Sequence, residues 1–366
     1  MVDSGSSTAV EAVSADPVVM QASVLRNSAF HLEDVPVPEP GPGEVLVKVA
    51  ACGICGSDLH TFKHQTDLID KVKAMGADAS ELERAYSEGV ILGHEFVGEV
   101  VKFGPATQQA LAVGDRVVSM PFVLKNGVPA LVGSVPELSG AYAQYMVLTE
   151  ALLLPVDKDI PSEAAAFVEP LGIAVHAVAK SGISAGDIAV VVGAGPIGLA
   201  IIAVLKARGI ETVVASDLSE KRRELATTMG ATKSIDGSQE SVIAVASALG
   251  GTSRMFVYEN TGAPGMLGNL VLEAPQAAHI TMTGIPAGEE SFVPMMAISK
   301  ELSMSFVIYY SPEEFAEALG MIGAGQFNWQ ALHTGTVGLD GISQAFTNLA
   351  DPELHAKILI DPWQRA

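Results

Sequence analysis

Cysteine is almost absent from this sequence: Cys52 and Cys55 are the only two in 366 residues. That count excludes a disulfide framework of the kind found in secreted domains. Basic charge is scarce as well. Lys and Arg total 21 against 42 Asp and Glu, a formal net charge of −21, and no extended basic cluster interrupts the acidic excess. A nucleic-acid surface needs such a cluster to displace counterions, so neither nucleic acid nor an anionic membrane is expected as a partner. Charged residues of both signs reach only 17 %, while hydrophobic residues make up 49 %. That balance suits a homo-oligomer, dimer or tetramer, that buries apolar surface between subunits. Residues 1–17 carry Ser, Ala, Val and acidic side chains but no basic n-region or apolar core. They read as a disordered tail and not a signal peptide, which with the cysteine usage points to the cytoplasm. One long uncharged run, between Asp187 and Lys206, approaches the length of a membrane span. Gly193, Gly195, Pro196 and Gly198 interrupt it, so it reads as strand, tight turn and helix.

The length suggests two or three domains. Up to about Phe167 the chain carries short strand signals separated by turns. Val45-Leu46-Val47-Lys48-Val49 follows Pro40-Gly41-Pro42-Gly43, and residues 96–101 and 116–118 look like further strands. From about Gly172 the texture changes. Strands are expected at 188–192, 212–216, 232–235, 255–258, 279–283 and 303–308. Helices are expected between them at 196–208, 219–229, 239–249 and 264–273. This is the rhythm of an α/β fold with a doubly wound parallel sheet. More helix follows Tyr309, and residues 355–360 read as a strand returning to the first domain.

Val190-Val191-Val192 runs into Gly193-Ala194-Gly195-Pro196-Ile197-Gly198, a strand followed by the glycine spacing that opens a helix at a dinucleotide pyrophosphate. Asp217 follows the next strand, nineteen residues after Gly198, where an acid meets the adenosine ribose hydroxyls. Its charge repels a 2′-phosphate and favours NAD over NADP. Lys221, Arg222 and Arg223 follow closely and keep NADP in view, with Arg222 a candidate cofactor contact.

Cys52-Gly-Ile-Cys55 has redox spacing, but it is followed by Gly93-His94-Glu95 and Val168-Glu169-Pro170. Together these fit a catalytic zinc better. Cys55, His94 and Glu169 would supply three protein ligands and leave a fourth position open. Glu95 is an alternate ligand, and Asp58 could orient His94 from behind.

Five segments resemble the zinc-containing medium-chain dehydrogenases, nearest the polyol, butanediol and threonine dehydrogenase branch. They are Ala51-Cys-Gly-Ile-Cys-Gly-Ser-Asp-Leu-His60, Ile91-Leu-Gly-His-Glu-Phe96, Val113-Gly-Asp-Arg-Val117, Phe167-Val-Glu-Pro-Leu171 and Val192-Gly-Ala-Gly-Pro-Ile-Gly-Leu199. The resemblance implies a β-rich GroES-like catalytic domain over residues 18–170 and 310–366, and a Rossmann domain over 171–309. It implies Cys55, His94 and Glu169 as zinc ligands with Glu95 beside them, and a small secondary alcohol or diol exchanging hydride with NAD. Ser57 is the expected first proton acceptor, with His60 passing the proton on through the cofactor ribose. Thr261, Gly284, Ile285 and Ile308 are expected near the nicotinamide, Lys357 near the pyrophosphate, and Phe62, Met120 and Phe122 as apolar pocket lining.

The chain departs from the family in two ways. The four-cysteine loop of a structural zinc is missing, so one catalytic zinc per subunit is expected. His94 also lies farther from Cys55 than is usual, and the excess falls in residues 66–89. Leu68, Ile69, Val72 and Met75 share a helical face there. Gly76 breaks the helix, and Ser80-Glu-Leu-Glu83 reads as the capping box of a second one. Its position between two ligand-bearing segments suits either a lid or a subunit contact. The competing readings are a same-fold ketone or aldehyde reductase using NADPH and a non-catalytic NAD-binding protein. The presence of Cys55, His94 and Ser57 counts against the second of these.

Overall fold

The computed structural model describes residues 18–366 apart from Asn126, Ala287 and Ala366; the expected tail over 1–17 lies outside the described residues. Two large sheets organise the chain. The first is parallel and six-stranded, in the order Lys233–Ile235, Thr212–Ser216, Ile188–Val192, Met255–Glu259, His279–Met282, Ser303–Phe306. That order reverses beside Ile188–Val192, so the carboxyl ends of Ile188–Val192 and Met255–Glu259 flank a crevice at the topological switch point. Both central strands are buried along their whole length, as expected of a sheet covered by helices on both faces.

The second sheet has seven strands. Its path runs His333–Val337, Lys357–Ile360, Glu44–Gly53, Glu95–Phe103, Arg116–Ser119, Leu153–Pro155, with Tyr145–Thr149 also paired to Glu44–Gly53. The chain end therefore does return to the first domain. Lys357–Ile360 lies antiparallel to Glu44–Gly53, with Leu359 opposite Gly53 and Ile360 opposite Cys52. This register brings Lys357 alongside the metal-site loop.

The helix Val168–Ser181 connects the two halves, and Gly182 ends it in a left-handed conformation. A boundary at 170/171 therefore cuts one continuous helix. The helix Pro312–Gly323 packs against the linking helix. Phe315, Ala318, Met321 and Ile322 share a core with Leu199–Leu205 and with the linking helix, and the return to the catalytic sheet is complete only at His333.

Residues 66–89 form two helices, Gln65–Ala74 and Ser80–Glu88. The expected capping box does not form. Ala79 is the N-cap residue, and the Asp78 carboxylate takes the Ser80 N–H at 2.9 Å, an Asx-type closure that makes Ser80 the first helical residue. Met75 is 76 % exposed, because it lies at the frayed end of its helix beyond the face that Leu68, Ile69 and Val72 half-bury. Both ends of the insertion are tied down. Gln65 Oε1 accepts from the Ser28 N–H and Oγ, each at 2.9 Å. Arg84 spans Glu81 and Glu88 on its own helix and reaches Glu137 at 2.7 Å. Where a structural zinc loop would lie, Phe122–Lys125 and Val128–Leu131 pair as a hairpin.

Candidate active site

The side chains of the close group come from the end of the strand Glu44–Gly53 and the start of the strand Glu95–Phe103. Cys55 caps the helix Gly56–Lys63, and its N–H donates to Asp58 Oδ2 at 3.0 Å. His94 and Glu95 open the second strand after Gly93, whose φ is +101°. A Cβ at Gly93 would lie 2.5 Å from the Tyr142 ring, so glycine is required both for the turn and for the close approach. A Cβ at Gly53 would likewise strike Glu95 Oε2 at 2.1 Å. The space that glycine leaves admits a carboxylate that is 1 % exposed.

Ligand atoms of Cys55, His94 and Glu95 lie within 4.8 Å of one another. His94 Nδ1 sits 3.5 Å from Asp58 Oδ1, and Asp58 Oδ2 also accepts from the Tyr142 hydroxyl at 2.7 Å. Asp58 thus grips the ring from behind, as expected from the sequence, and leaves Nε2 to face the cluster, 3.5 Å from Ser57 Oγ. Burial pushes the His94 pKa down, but Asp58 and Cys55 outweigh it and hold the metal-free imidazole well above its usual range. Burial likewise opposes ionisation of Asp58, yet His94, Tyr142 and the Cys55 N–H keep that carboxyl below its ordinary value.

Glu95, the alternate ligand of the sequence, lies in the close group with Cys55 and His94. Glu169 is buried nearby and accepts from the Tyr310 hydroxyl at 3.0 Å. Burial is the chief cause that raises its pKa to about 7; Glu95 adds to the rise, and His94, Tyr310 and Lys357 oppose it. The residues fit a zinc ion on the chemistry of the donors: one thiolate, one imidazole oriented by a carboxylate, and one carboxylate. Glu95 Oε2 is buried without a regularly oriented hydrogen-bond donor.

Lys357 does not lie where the sequence suggested. It is 2 % exposed, donates to the Ile54 carbonyl at 2.9 Å, and ion-pairs with Glu95. The Lys357–Ile360 register directs its ammonium toward Ile54 and Glu95. Phe62 departs too: it stacks on Phe30 at 5.3 Å and meets Phe346 at 5.4 Å, in a core cluster. Met120 and Phe122 are half-buried, and Phe122 meets Tyr309 edge-on at 5.1 Å.

The crevice of the parallel sheet is built mainly from backbone. Gly193 has φ +87°, and a Cβ on Gly198 would lie 2.0 Å from the Gly193 carbonyl oxygen. Nothing lies within 4 Å of a Cβ on Gly195, so the loop leaves open space in front of the helix Pro196–Ala207, in which Pro196 and Ile197 form the first turn. The first-turn N–H groups of Ile197 and Gly198 suit a pyrophosphate there. Asp217 Oδ2 accepts from the Ala194 N–H at 2.8 Å, which fixes the loop to the next strand. Arg222 Nε is buried without a partner among the described residues. Thr261 is exposed and Gly284 half-buried at neighbouring strand ends, while Ile285 and Ile308 are 68 % and 64 % exposed.

Three buried residues escaped the sequence reading. Glu259 accepts from the Thr261 N–H at 2.7 Å and from the Gly262 N–H at 3.1 Å, and so shapes the loop that ends its strand. An acid at that strand end was a usable signal. Tyr142 and Tyr310 act across long sequence separations, and no local pattern marks them.

Residues 41–158 match the alcohol dehydrogenase GroES-like domain family, and residues 196–324 match the zinc-binding dehydrogenase family. An (R,R)-butanediol dehydrogenase from Neisseria gonorrhoeae is 32 % identical over 360 residues, covering 94 % of this chain and 99 % of the relative. The crystal structure of 2R,3R-butanediol dehydrogenase from Bacillus subtilis, 30 % identical, superposes with a TM-score of 0.81 over 94 % of this chain and 99 % of that one. A zinc-binding dehydrogenase from Sinorhizobium meliloti bound to NADP, 25 % identical, superposes with a TM-score of 0.80 over 94 % of this chain and 100 % of its own.

Proposed function

The chain belongs to the zinc-containing medium-chain dehydrogenases of the alcohol dehydrogenase superfamily, and from that premise we propose that it interconverts a small vicinal diol or secondary alcohol and its ketone with NAD. The observation that carries the proposal is the close group of Cys55, His94 and the buried Glu95. The 30–32 % identity to two butanediol dehydrogenases over nine-tenths of the chain supports a diol substrate.

When bound, zinc supplies Lewis acidity toward a hydroxyl oxygen, and the nicotinamide supplies the hydride acceptor. The remaining steps belong to the chain's own side chains. Ser57, exposed beside His94, takes the substrate's hydroxyl proton, and His60 receives it at the edge of the cleft. Met120, Phe122 and Tyr309 wall the substrate side with apolar surface. Thr261, Gly284, Ile285 and Ile308 form the nicotinamide end, and the Gly193–Gly198 loop with Asp217 forms the adenosine end. The catalytic domain comprises residues 18 to about 167 and the C-terminal strands, with the Rossmann domain between them.

The proposal includes one zinc per chain, because Cys52 and Cys55 are the only thiols available and a closed structural cage needs more ligands. It also includes NAD in preference to NADP, supported by the carboxylate of Asp217 at the ribose position. A homo-oligomer is supported by the sheet edge at Ser303–Phe306 and the exposed Met295, Ile298 and Phe306 beside it. Two free thiols suit the cytoplasm. An NADPH-linked reductase is the second reading, favoured by the unpartnered Arg222 Nε. Initial rates on a panel of diols, secondary alcohols and ketones with each coenzyme test the choice. We expect the highest kcat/KM with NAD and a vicinal diol. Equal or better kcat/KM with NADP, or strong preference for a sugar phosphate, would refute it.

A further inference from the structure

The head of the insertion brings two titratable groups against the helix that carries Ser57 and His60. Resting on the reading of His60 as the group that receives the proton, we propose that His64 and Asp67 form the outer station of the proton path: His60 hands its proton to His64, and His64, held by Asp67, releases it to water.

His60 and His64 are one helical turn apart, so their side chains share a face. Their rings lie 4.8 Å apart between centroids, tilted by 39°. Among the described residues His60 Nε2 is buried with no hydrogen-bond partner, and a buried ring nitrogen left unsatisfied needs a reason. A place on a proton path supplies one, since a nitrogen that must gain and lose a proton is best left without a permanent partner. His64 Nδ1 lies 3.0 Å from Asp67 Oδ2, and the two side chains are 40 % and 65 % exposed. With a proton on Nδ1 directed at the carboxylate, Nε2 of His64 is left as the acceptor. Transfer between the rings needs a small rotation of His64 or one water.

The local chain geometry looks built for this placement. His64 ends the helix Gly56–Lys63 and also caps the helix Gln65–Ala74, with φ −126° and ψ 30°. The break between helices turns its side chain to the surface, and the bonds from Ser28 to Gln65 Oε1 fix the new helix so that Asp67 follows one turn later. The charged groups facing His60 are His64, Lys71 and Asp67. Burial first, then His64 and Lys71, push its pKa down, and Asp67 opposes them. These neighbours favour the neutral ring, the form that can accept a proton and give it up again.

The proton balance is simple. During alcohol oxidation the substrate O–H bond breaks, and its proton appears as an N–H on His60. That bond breaks as one forms on His64, which then delivers the proton to water. The hydride leaves separately to the nicotinamide, and carbonyl reduction runs the same path inward.

The test is stopped-flow mixing of the zinc-loaded enzyme with NAD and 2,3-butanediol, following NADH absorbance and proton release to a pH-indicator dye. The enzymes compared are the parent, His64→Asn and Asp67→Asn. We expect His64→Asn to slow proton release about tenfold and Asp67→Asn by less. Coenzyme affinity and Tm should be unchanged, and added imidazole should restore the rate in His64→Asn. Proton release at the parental rate in His64→Asn would overturn the proposal, as would a slow rate that imidazole does not restore. A parent that forms no NADH with any alcohol would overturn the reaction itself and the path with it, an outcome that the absorbance trace separates from the others.

Discussion

The metal pocket and the dinucleotide crevice solve opposite problems. The pocket gathers ionisable side chains that water would keep apart, and it holds them with specific partners: Asp58 on His94, Tyr310 on Glu169, Lys357 on Glu95. The crevice gathers almost nothing. It removes side chains, at Gly193 and Gly198 where backbone must pass backbone, and at Gly195 where a Cβ would point into open space. One site depends on what is present and the other on what is missing. Substitutions should therefore fail differently in the two places.

The largest effect is expected in the pocket. His94→Ala removes a metal ligand together with the partner of Asp58. We expect kcat/KM to fall at least about a thousandfold, the equivalent of roughly 4 kcal/mol, with far-UV circular dichroism unchanged. A fall of less than tenfold would deny His94 its place at the metal.

Lys357→Met leaves the Glu95 carboxylate buried without its cation. Breaking a buried pair from one side costs about 3 kcal/mol or more. Urea unfolding of the metal-free protein should register that loss, and the double variant Lys357→Met/Glu95→Gln should recover most of it. A single variant as stable as the parent would show that the pair carries no weight.

The same contrast explains what could be read from the sequence. Glycine spacing reports backbone geometry directly, and the crevice follows from it: 188–192 and 212–216 are strands within the expected limits. The pocket was legible as a set of motifs but not as a geometry. Glu95 and Glu169 both stand beside recognisable motifs, and only the missing Cβ of Gly53 makes room for Glu95 in the close group. The direction of Lys357 depends on how the last strand registers against Glu44–Gly53, a pairing across most of the chain that no local pattern encodes. Ser80 lost its capping role to Asp78, two residues earlier, because an Asx turn competed for the same N–H.

In the crevice, two glycines should separate packing from binding. Gly198→Ala places a Cβ 2.0 Å from the Gly193 carbonyl oxygen, so we expect a stability loss of about 2 kcal/mol. Gly195→Ala meets nothing within 4 Å. Its Tm should hold while NAD affinity drops severalfold, by calorimetry of binding. Equal losses of Tm in both variants would erase the distinction.

Asp217→Gly should act on the choice of coenzyme. Removing the carboxylate lifts its repulsion of a 2′-phosphate and should narrow the NAD over NADP preference about tenfold, or roughly 1.4 kcal/mol. The same change frees the Ala194 N–H from its bond to Asp217, so the KM for NAD should rise as well. An unchanged ratio of kcat/KM for the two coenzymes would remove Asp217 from the ribose site.

Metal counting tests the central claim most directly. Elemental analysis of the dialysed parent should give one zinc per chain, and Cys55→Ser should give none while retaining its circular dichroism. Two tightly bound zinc ions in the parent, or one still present after Cys55→Ser, would contradict the account of a single metal held by Cys55, His94 and Glu95.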